Sequence, residues 1–180
     1  MTELLLGCGN RRSKQIQLKE RPKEFEELIT LDIDPNCGAD VIHDLNELPW
    51  PFDENMFDEV HAYEVLEHFG AQGDWRAFFA HFSEIYRILK PDGILCATVP
   101  IWDSVWLWGD PGHTRAITAE SLTYLNQQAY EQLGKSPMTD YRHWYKADFE
   151  LIGYDELKAI GADESSLIAF VLRARGKDGG

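Results

Sequence analysis

The stretch Leu4-Leu5-Leu6-Gly7-Cys8-Gly9-Asn10, answered further along by Leu31-Asp32-Ile33-Asp34-Pro35, decides how this chain is read. The first is an apolar run entering a glycine turn. The second is an apolar run ending in a carboxylate. In an open α/β sheet two such strand ends lie side by side, at the rim where nucleoside ligands bind. The separation from Gly9 to Asp32 is close to the roughly 20 residues expected between such a turn and a ribose-binding acid. Together the two stretches predict a site for a nucleoside-containing ligand.

Absences narrow the ligand. A dinucleotide fingerprint G-x-G-x-x-G needs glycine at position 12, where Arg12 stands. The third glycine serves close helix packing with a pyrophosphate at the helix N-terminus. No G-x-x-x-x-G-K-[ST] loop is present either, so the NTPase kind of phosphate cradle is unsupported. A tight turn and an acid suffice for a cofactor with ribose and adenine but no phosphate, a description that S-adenosylmethionine fits.

Working outward, residues 2–6, 29–33, 40–43, 57–62 and 94–99 read as strands, with further strands near 148–153 and 167–174 as an antiparallel pair. Pro22, Phe25 and Leu28 suggest a short helix over 22–29. Trp75, Phe78, Phe79, Phe82, Ile85, Tyr86 and Leu89 recur at helical spacing and predict a helix over 74–89 whose aromatic stripe faces the core. Lys90-Pro91-Asp92-Gly93 reads as the turn that closes it. Thr118 reads as the N-cap of a helix running to Leu133, with Gly134 beyond its end. Strands alternating with helices and a closing β pair make an α/β fold, Rossmann-like, with a mostly parallel doubly wound sheet and an antiparallel edge. Gly7, Asp32, Asp44, the 62–68 segment and the 100–117 loop then all fall at the carboxyl ends of strands.

At 180 residues the size prior is one domain over residues 1–180. No apolar run approaches the roughly 20 residues of a membrane span, and no secretion signal is visible. Cys8, Cys37 and Cys96 form no C-x-x-C pair and read as reduced thiols, so a cytoplasmic location is expected. The net charge of −14 disfavours nucleic acid as a partner. Arg11, Arg12 and Lys14 cluster beside the glycine turn, either as a solvated loop or as a cationic rim for an anionic substrate.

Residues 2–100 resemble a class I S-adenosylmethionine-dependent methyltransferase of small, single-domain type. Gly7-Cys8-Gly9 is similar to the family's first motif, and Leu31-Asp32-Ile33-Asp34-Pro35 to its second-strand motif. His43-Asp44-Leu45 with Leu48-Pro49 resembles the third-strand end and adenine-side loop. Phe57-Asp58-Glu59-Val60 through Glu64-Val65-Leu66-Glu67-His68 and Leu89-Lys90-Pro91-Asp92-Gly93 resemble two further blocks, in family order. The resemblance implies a transferase that takes S-adenosyl-L-methionine as cofactor. It places that cofactor against Gly7, Cys8, Gly9, Asn10, Asp32, Ile33, Asp44, Leu45, Tyr63, Glu64 and His68. Asp32 would accept from the ribose hydroxyls, Asp44 from the adenine amino group, and the Leu45 amide would donate to the ring; Asp34 is the competing ribose acid. Two departures point to an unusual first turn: Leu5 stands where the family usually has an acid, and Arg11 where a third glycine is common. The usual helical segment before the first strand is also missing.

Methyl transfer asks the protein mainly to align a nucleophile with the methyl group. Trp102, Trp106, Trp108, His113 and Arg115 in the 101–115 segment are the substrate-side candidates, the tryptophans as a pocket lid or as edge packing. His113 and Glu64 are the candidate catalytic residues, and Arg115 either holds an anion or pairs with Asp110. Tyr124, Tyr130, Tyr141 and Tyr145 are possible borders of a substrate site. His61-x-x-Glu64 with His68 is the nearest approach to a metal motif, but His61 falls in a strand and no cysteine stands nearby, so no metal is expected. The acceptor is expected to be a small molecule or a nucleotide-like group. The competing readings are a non-catalytic S-adenosylmethionine-binding or scaffold module of the same fold, and a nicotinamide-dependent oxidoreductase, which Arg12 opposes.

Overall fold

The computed structural model describes residues 1–157 and 166–176. Its seven strands are β1 (Thr2–Leu6), β2 (Glu27–Asp32), β3 (Val41–Ile42), β4 (Phe57–Tyr63), β5 (Leu89–Pro100), β6 (Phe149–Leu157) and β7 (Leu167–Ala174). They form one sheet in the order β3-β2-β1-β4-β5-β7-β6. The first five are parallel, and β7 runs antiparallel to both β5 and β6. After β3 the chain crosses to the other side of β1 to form β4. The order therefore reverses between β1 and β4, and a crevice opens beyond their carboxyl ends, where such sheets bind ligands.

One long helix, α1 (Trp75–Ile88), lies between β4 and β5 in sequence. Asp74 caps it by accepting from the Ala77 N–H at 3.0 Å, a contact that contributes about 1 kcal/mol. Its Phe78, Phe79, Phe82, Ile85 and Ile88 join Leu4, Leu6, Val60, Ala62, Leu95 and Ala97 in the main core, each fully buried side chain larger than alanine contributing about 1.5–3 kcal/mol. Alternation along the strands sends Leu5, Cys8 and Tyr63 to the other face.

That second face has an unusual cover. Residues 7–26 contain no helix; instead Ile16, Leu18 and Phe25 from this segment pack on the sheet. Beneath them lies a buried ionic network. The Lys14 ammonium bonds Glu3 and, at 3.0 Å, Glu59. His61 donates from Nε2 to Glu59 at 3.0 Å, which leaves Nδ1 to accept from the Tyr63 hydroxyl at 2.8 Å. Lys14 is thus neither solvated nor part of a rim; it holds the β1–β2 crossover to the sheet.

Three sequence expectations are corrected. Residues 22–26 are irregular and 27–32 are strand, because Phe25 sets its ring edge on His61 at 5.0 Å and the Glu26 N–H donates to Glu3 at 2.7 Å. These long-range contacts outweigh a weak local helix pattern. Lys90-Pro91-Asp92-Gly93 is a bulge inside β5 rather than a turn before it: Leu89 already pairs with Phe57, and the register shifts before Ile94. The helix expected from Thr118 to Leu133 is α3 (Ala119–Thr123) followed by a 3-10 turn at Gln127–Gln132. The break comes where the Phe149 N–H takes the Leu125 carbonyl at 2.9 Å and the Gln127 N–H takes Asp148 at 2.8 Å.

Candidate active site at the sheet crevice

The β1 turn is built by two left-handed glycines, with φ of 56° at Gly7 and 46° at Gly9. Gly7 is also the point of closest approach: a Cβ there would meet Val65 Cγ2 at 1.9 Å. The turn is tied to β2 by Asp32, whose Oδ2 accepts from the Gly9 N–H at 2.7 Å and whose Oδ1 accepts from the Asp34 N–H at 2.9 Å. A carboxylate has about four lone-pair sites, so each oxygen keeps one for a ligand. Asp34 instead accepts from its own loop, at Asn36.

A cavity of about 330 Å³ opens here. Gly7, Asp32 and Ile33 form one side, Asp44, Leu45 and Asn46 another, and Val65, His68 and Phe69 close it. Ile33 is 63% exposed, an uncovered apolar side chain at the rim. Asp44 is turned inward by an Asx turn, its Oδ1 accepting from the Asn46 N–H at 2.9 Å. Asn46 in turn bonds the His68 carbonyl and the Gly70 N–H, joining the β3 loop to the segment after β4.

The remaining cofactor-side candidates, Cys8, Gly9, Asn10, Tyr63 and Glu64, are not among the residues that line this cavity. The Cys8 side chain is buried on the other sheet face; burial pushes its thiol up to about 11, against the Arg12 guanidinium. Tyr63 faces the buried ionic network. Glu64 has a left-handed φ of 56°, an uncommon conformation for a residue with a side chain. Its carboxylate sits 3.6 Å from Arg11.

The 101–115 segment carries α2 (Val105–Gly109), capped by Ser104. Leu107 is its buried residue, whereas Trp102, Trp106 and Trp108 are 59%, 49% and 67% exposed, so the indoles are not edge packing. Trp108 Nε1 donates to the Trp102 carbonyl at 2.9 Å and fixes the loop on itself. His113 comes to lie against His68, ring centroids 4.8 Å apart. Arg115 is buried and does not pair with Asp110; it donates to the carbonyls of Phe69, Ala71 and Asp74. It also borders a second cavity of about 300 Å³, beside Trp75, Phe79, Tyr124 and Tyr141, while Tyr130 and Tyr145 are core residues.

Glu67, which the sequence reading passed over, is the most unusual group of the region. It is fully buried, and neither carboxylate oxygen has a hydrogen-bond partner. Burial pushes its carboxyl up to about 8, and the carboxylates of Glu64 and Asp110 push the same way. The only sequence signal was its place before His68 in the Glu64–His68 block.

Comparison with known proteins bears on the family and the fold. The family model described as "Methyltransferase domain" matches residues 4–97, just over half of the chain. No curated protein sequence matches. Among solved structures, a SAM-dependent methyltransferase from Archaeoglobus fulgidus superposes with a TM-score of 0.57 at 16% identity, covering 96% of this chain and 85% of that one. A putative methyltransferase from Bacillus halodurans gives 0.59 at 13% identity, covering 97% and 93%. The 1,6-didemethyltoxoflavin-N1-methyltransferase of Burkholderia thailandensis, solved with bound 1,6-didemethyltoxoflavin and S-adenosylhomocysteine, gives 0.57 at 16%, covering 97% and 71%. These structural likenesses speak to the fold, and the family model to kinship. The chain belongs to the methyltransferase-domain family, within the class I S-adenosylmethionine-dependent methyltransferases.

Proposed function

We propose that this enzyme transfers a methyl group to a small-molecule acceptor and holds its cofactor in the crevice between β1 and β4. One observation carries the reading: the glycine turn, Asp32, Asp44 and His68 border a single cavity of about 330 Å³. The residues fit an adenosyl group. Asp32 retains one free lone pair on each oxygen for two ribose hydroxyls. Asp44 offers a carboxylate to an exocyclic amine, and Ile33 and Leu45 flank a planar base. Gly7 leaves room for backbone approach.

Bound there, S-adenosyl-L-methionine supplies a methyl group on a sulfonium. The chain's own task is alignment, which alone accelerates such displacements greatly. His113 and Glu64 stand beside the mouth to orient the acceptor, and the exposed indoles of Trp102, Trp106 and Trp108 form a lid for its apolar part. The acidic surface, with net charge −14, favours a small acceptor over a polynucleotide. The three free thiols accord with a cytoplasmic location, and no helix of the described residues is long and apolar enough to cross a membrane.

The reading is tested by isothermal titration with S-adenosylmethionine and S-adenosylhomocysteine, followed by mass spectrometry of metabolite pools for a product one CH₂ heavier. Binding of both with a methylated product is expected. Binding without any product assigns the chain to the scaffold class, and binding of neither removes the proposal.

A further inference from the structure

We propose that Glu67, His68 and His113 form a binding site for one divalent transition-metal ion of the zinc type, at the mouth of the cofactor crevice. One donor atom from each of the three lies within 4.8 Å of the others. Glu67 is the anchor. Its side chain is 0% exposed and neither oxygen has a hydrogen-bond partner, a costly state for a buried carboxyl group unless something supplies the missing contacts. No arginine or lysine of the described residues supplies them; the charges acting on it are the carboxylates of Glu64 and Asp110.

The two histidines are arranged as ligands are. His68 Nδ1 lies 2.9 Å from the Gly112 carbonyl, and His113 Nδ1 lies 3.1 Å from the Trp106 carbonyl. A carbonyl only accepts, so both rings carry a proton on Nδ1, and the neutral form of each offers its lone pair at Nε2. Such a carbonyl partner on the far ring nitrogen is the usual means of orienting a metal-binding imidazole. His113 Nε2 faces Glu67 Oε1 at 3.9 Å and Asp110 Oδ2 at 3.8 Å. In a tetrahedral zinc site, bonds of about 2.0–2.2 Å put the donors about 3.3 Å apart. The His113–Glu67 pair is about half an ångström wider than that, and no pair of donors needs to close by more than about 1.5 Å.

Two imidazoles and a carboxylate favour zinc, cobalt or ferrous iron over magnesium or calcium, which prefer all-oxygen sites. The other two clusters of donor-type side chains do not compete. In the Glu3–Glu59–His61 cluster both carboxylates already hold the Lys14 ammonium, and in the Cys8–Asp32–Cys37 group burial holds the Cys8 thiol in its protonated form, which is not a ligand. Nothing in the Glu67 site depends on the cofactor. Placed beside His68, which borders the crevice, the ion would hold an oxygen of the acceptor and lower its pKa.

The test uses the full chain, stripped with chelator and titrated with Co²⁺ and then Zn²⁺, with no cofactor present. One equivalent of Co²⁺ should produce a visible absorption band of moderate intensity, abolished by one equivalent of Zn²⁺. Affinity should fall at least tenfold in Glu67→Gln, His68→Ala and His113→Ala. His68 is exposed and His113 partly so, and circular dichroism with thermal melting confirms that these variants fold. Absence of a band in the unmodified protein overturns the proposal. So does a band that survives both histidine variants, or an intense charge-transfer band of the thiolate type, which would place the ion at Cys8 and Cys37 instead.

Discussion

The Gly9 N–H donates to Asp32 Oδ2 at 2.7 Å, across 23 residues of chain. This bond joins the turn after β1 to the tip of β2 and sets the Asp32 carboxylate facing the crevice. Asp32→Ala removes that tie and both acceptor positions for ribose. It should weaken S-adenosylhomocysteine binding by about 1–3 kcal/mol, read by titration calorimetry. Asp34→Ala, at a carboxylate whose Oδ1 accepts twice from Asn36 of its own loop, should leave the affinity unchanged.

Gly7 has no space for a side chain. Gly7→Ala must push against Val65 Cγ2 and hold a φ of 56°, so it should lose about 1–3 kcal/mol of stability and most of its cofactor affinity. Adding Val65→Ala should recover part of the stability, while the backbone strain at Gly7 remains. Urea unfolding of the single and double variants checks this.

Lys14 lies buried between Glu3 and Glu59, in the irregular segment that joins β1 to β2. Lys14→Met leaves Glu3 without its ammonium and Glu59 with only the Arg21 guanidinium, at 3.5 Å, as a charged partner beside His61. Removing one partner of a buried pair costs about 3–5 kcal/mol, so the variant should unfold at markedly lower denaturant. An Arg12→Met variant, at an exposed position, should not.

The same network sets an acid limit on stability. Burial pushes the Glu59 carboxyl up, and the hydrogen bonds from His61 and Lys14 overcome it and hold it at about 2 in place of the ordinary 4.5. A depressed carboxyl pKa stabilises the folded state above the unfolded value and ceases to do so as pH falls through the folded one. The Glu59 contribution should therefore be complete above about pH 5 and decline between about pH 4.5 and 2. Glu59→Gln should flatten this part of a stability-versus-pH curve measured by thermal melting.

The sequence was most legible where local pattern and tertiary structure agree. The aromatic stripe that begins at Trp75, the strands at 57–62 and 94–99 and the glycine–acid pair each appear where the local pattern puts them. It was least legible where distant groups decide. Phe25 and Leu28 carry a helical spacing, yet their partners are His61 and the β1 face, so the segment lies extended. Asn126 and Gln127 break a plausible helix because the backbone of Leu125 and the side chain of Asp148 claim their positions. In the candidate site, Asp32 and Asp44 were legible through family-like blocks. Glu67 was not, because its isolation is a property of burial and its neighbour His113 stands 46 residues away.

The crevice between β1 and β4 is tested most directly by a crystal structure of the protein with S-adenosylhomocysteine. The account predicts both ribose hydroxyls within hydrogen-bond distance of Asp32, the adenine between Ile33 and Leu45 with its amine toward Asp44, and the sulfur near Gly7. An adenosyl group bound elsewhere, or a crevice filled by side chains with no ligand at saturating concentration, would contradict it.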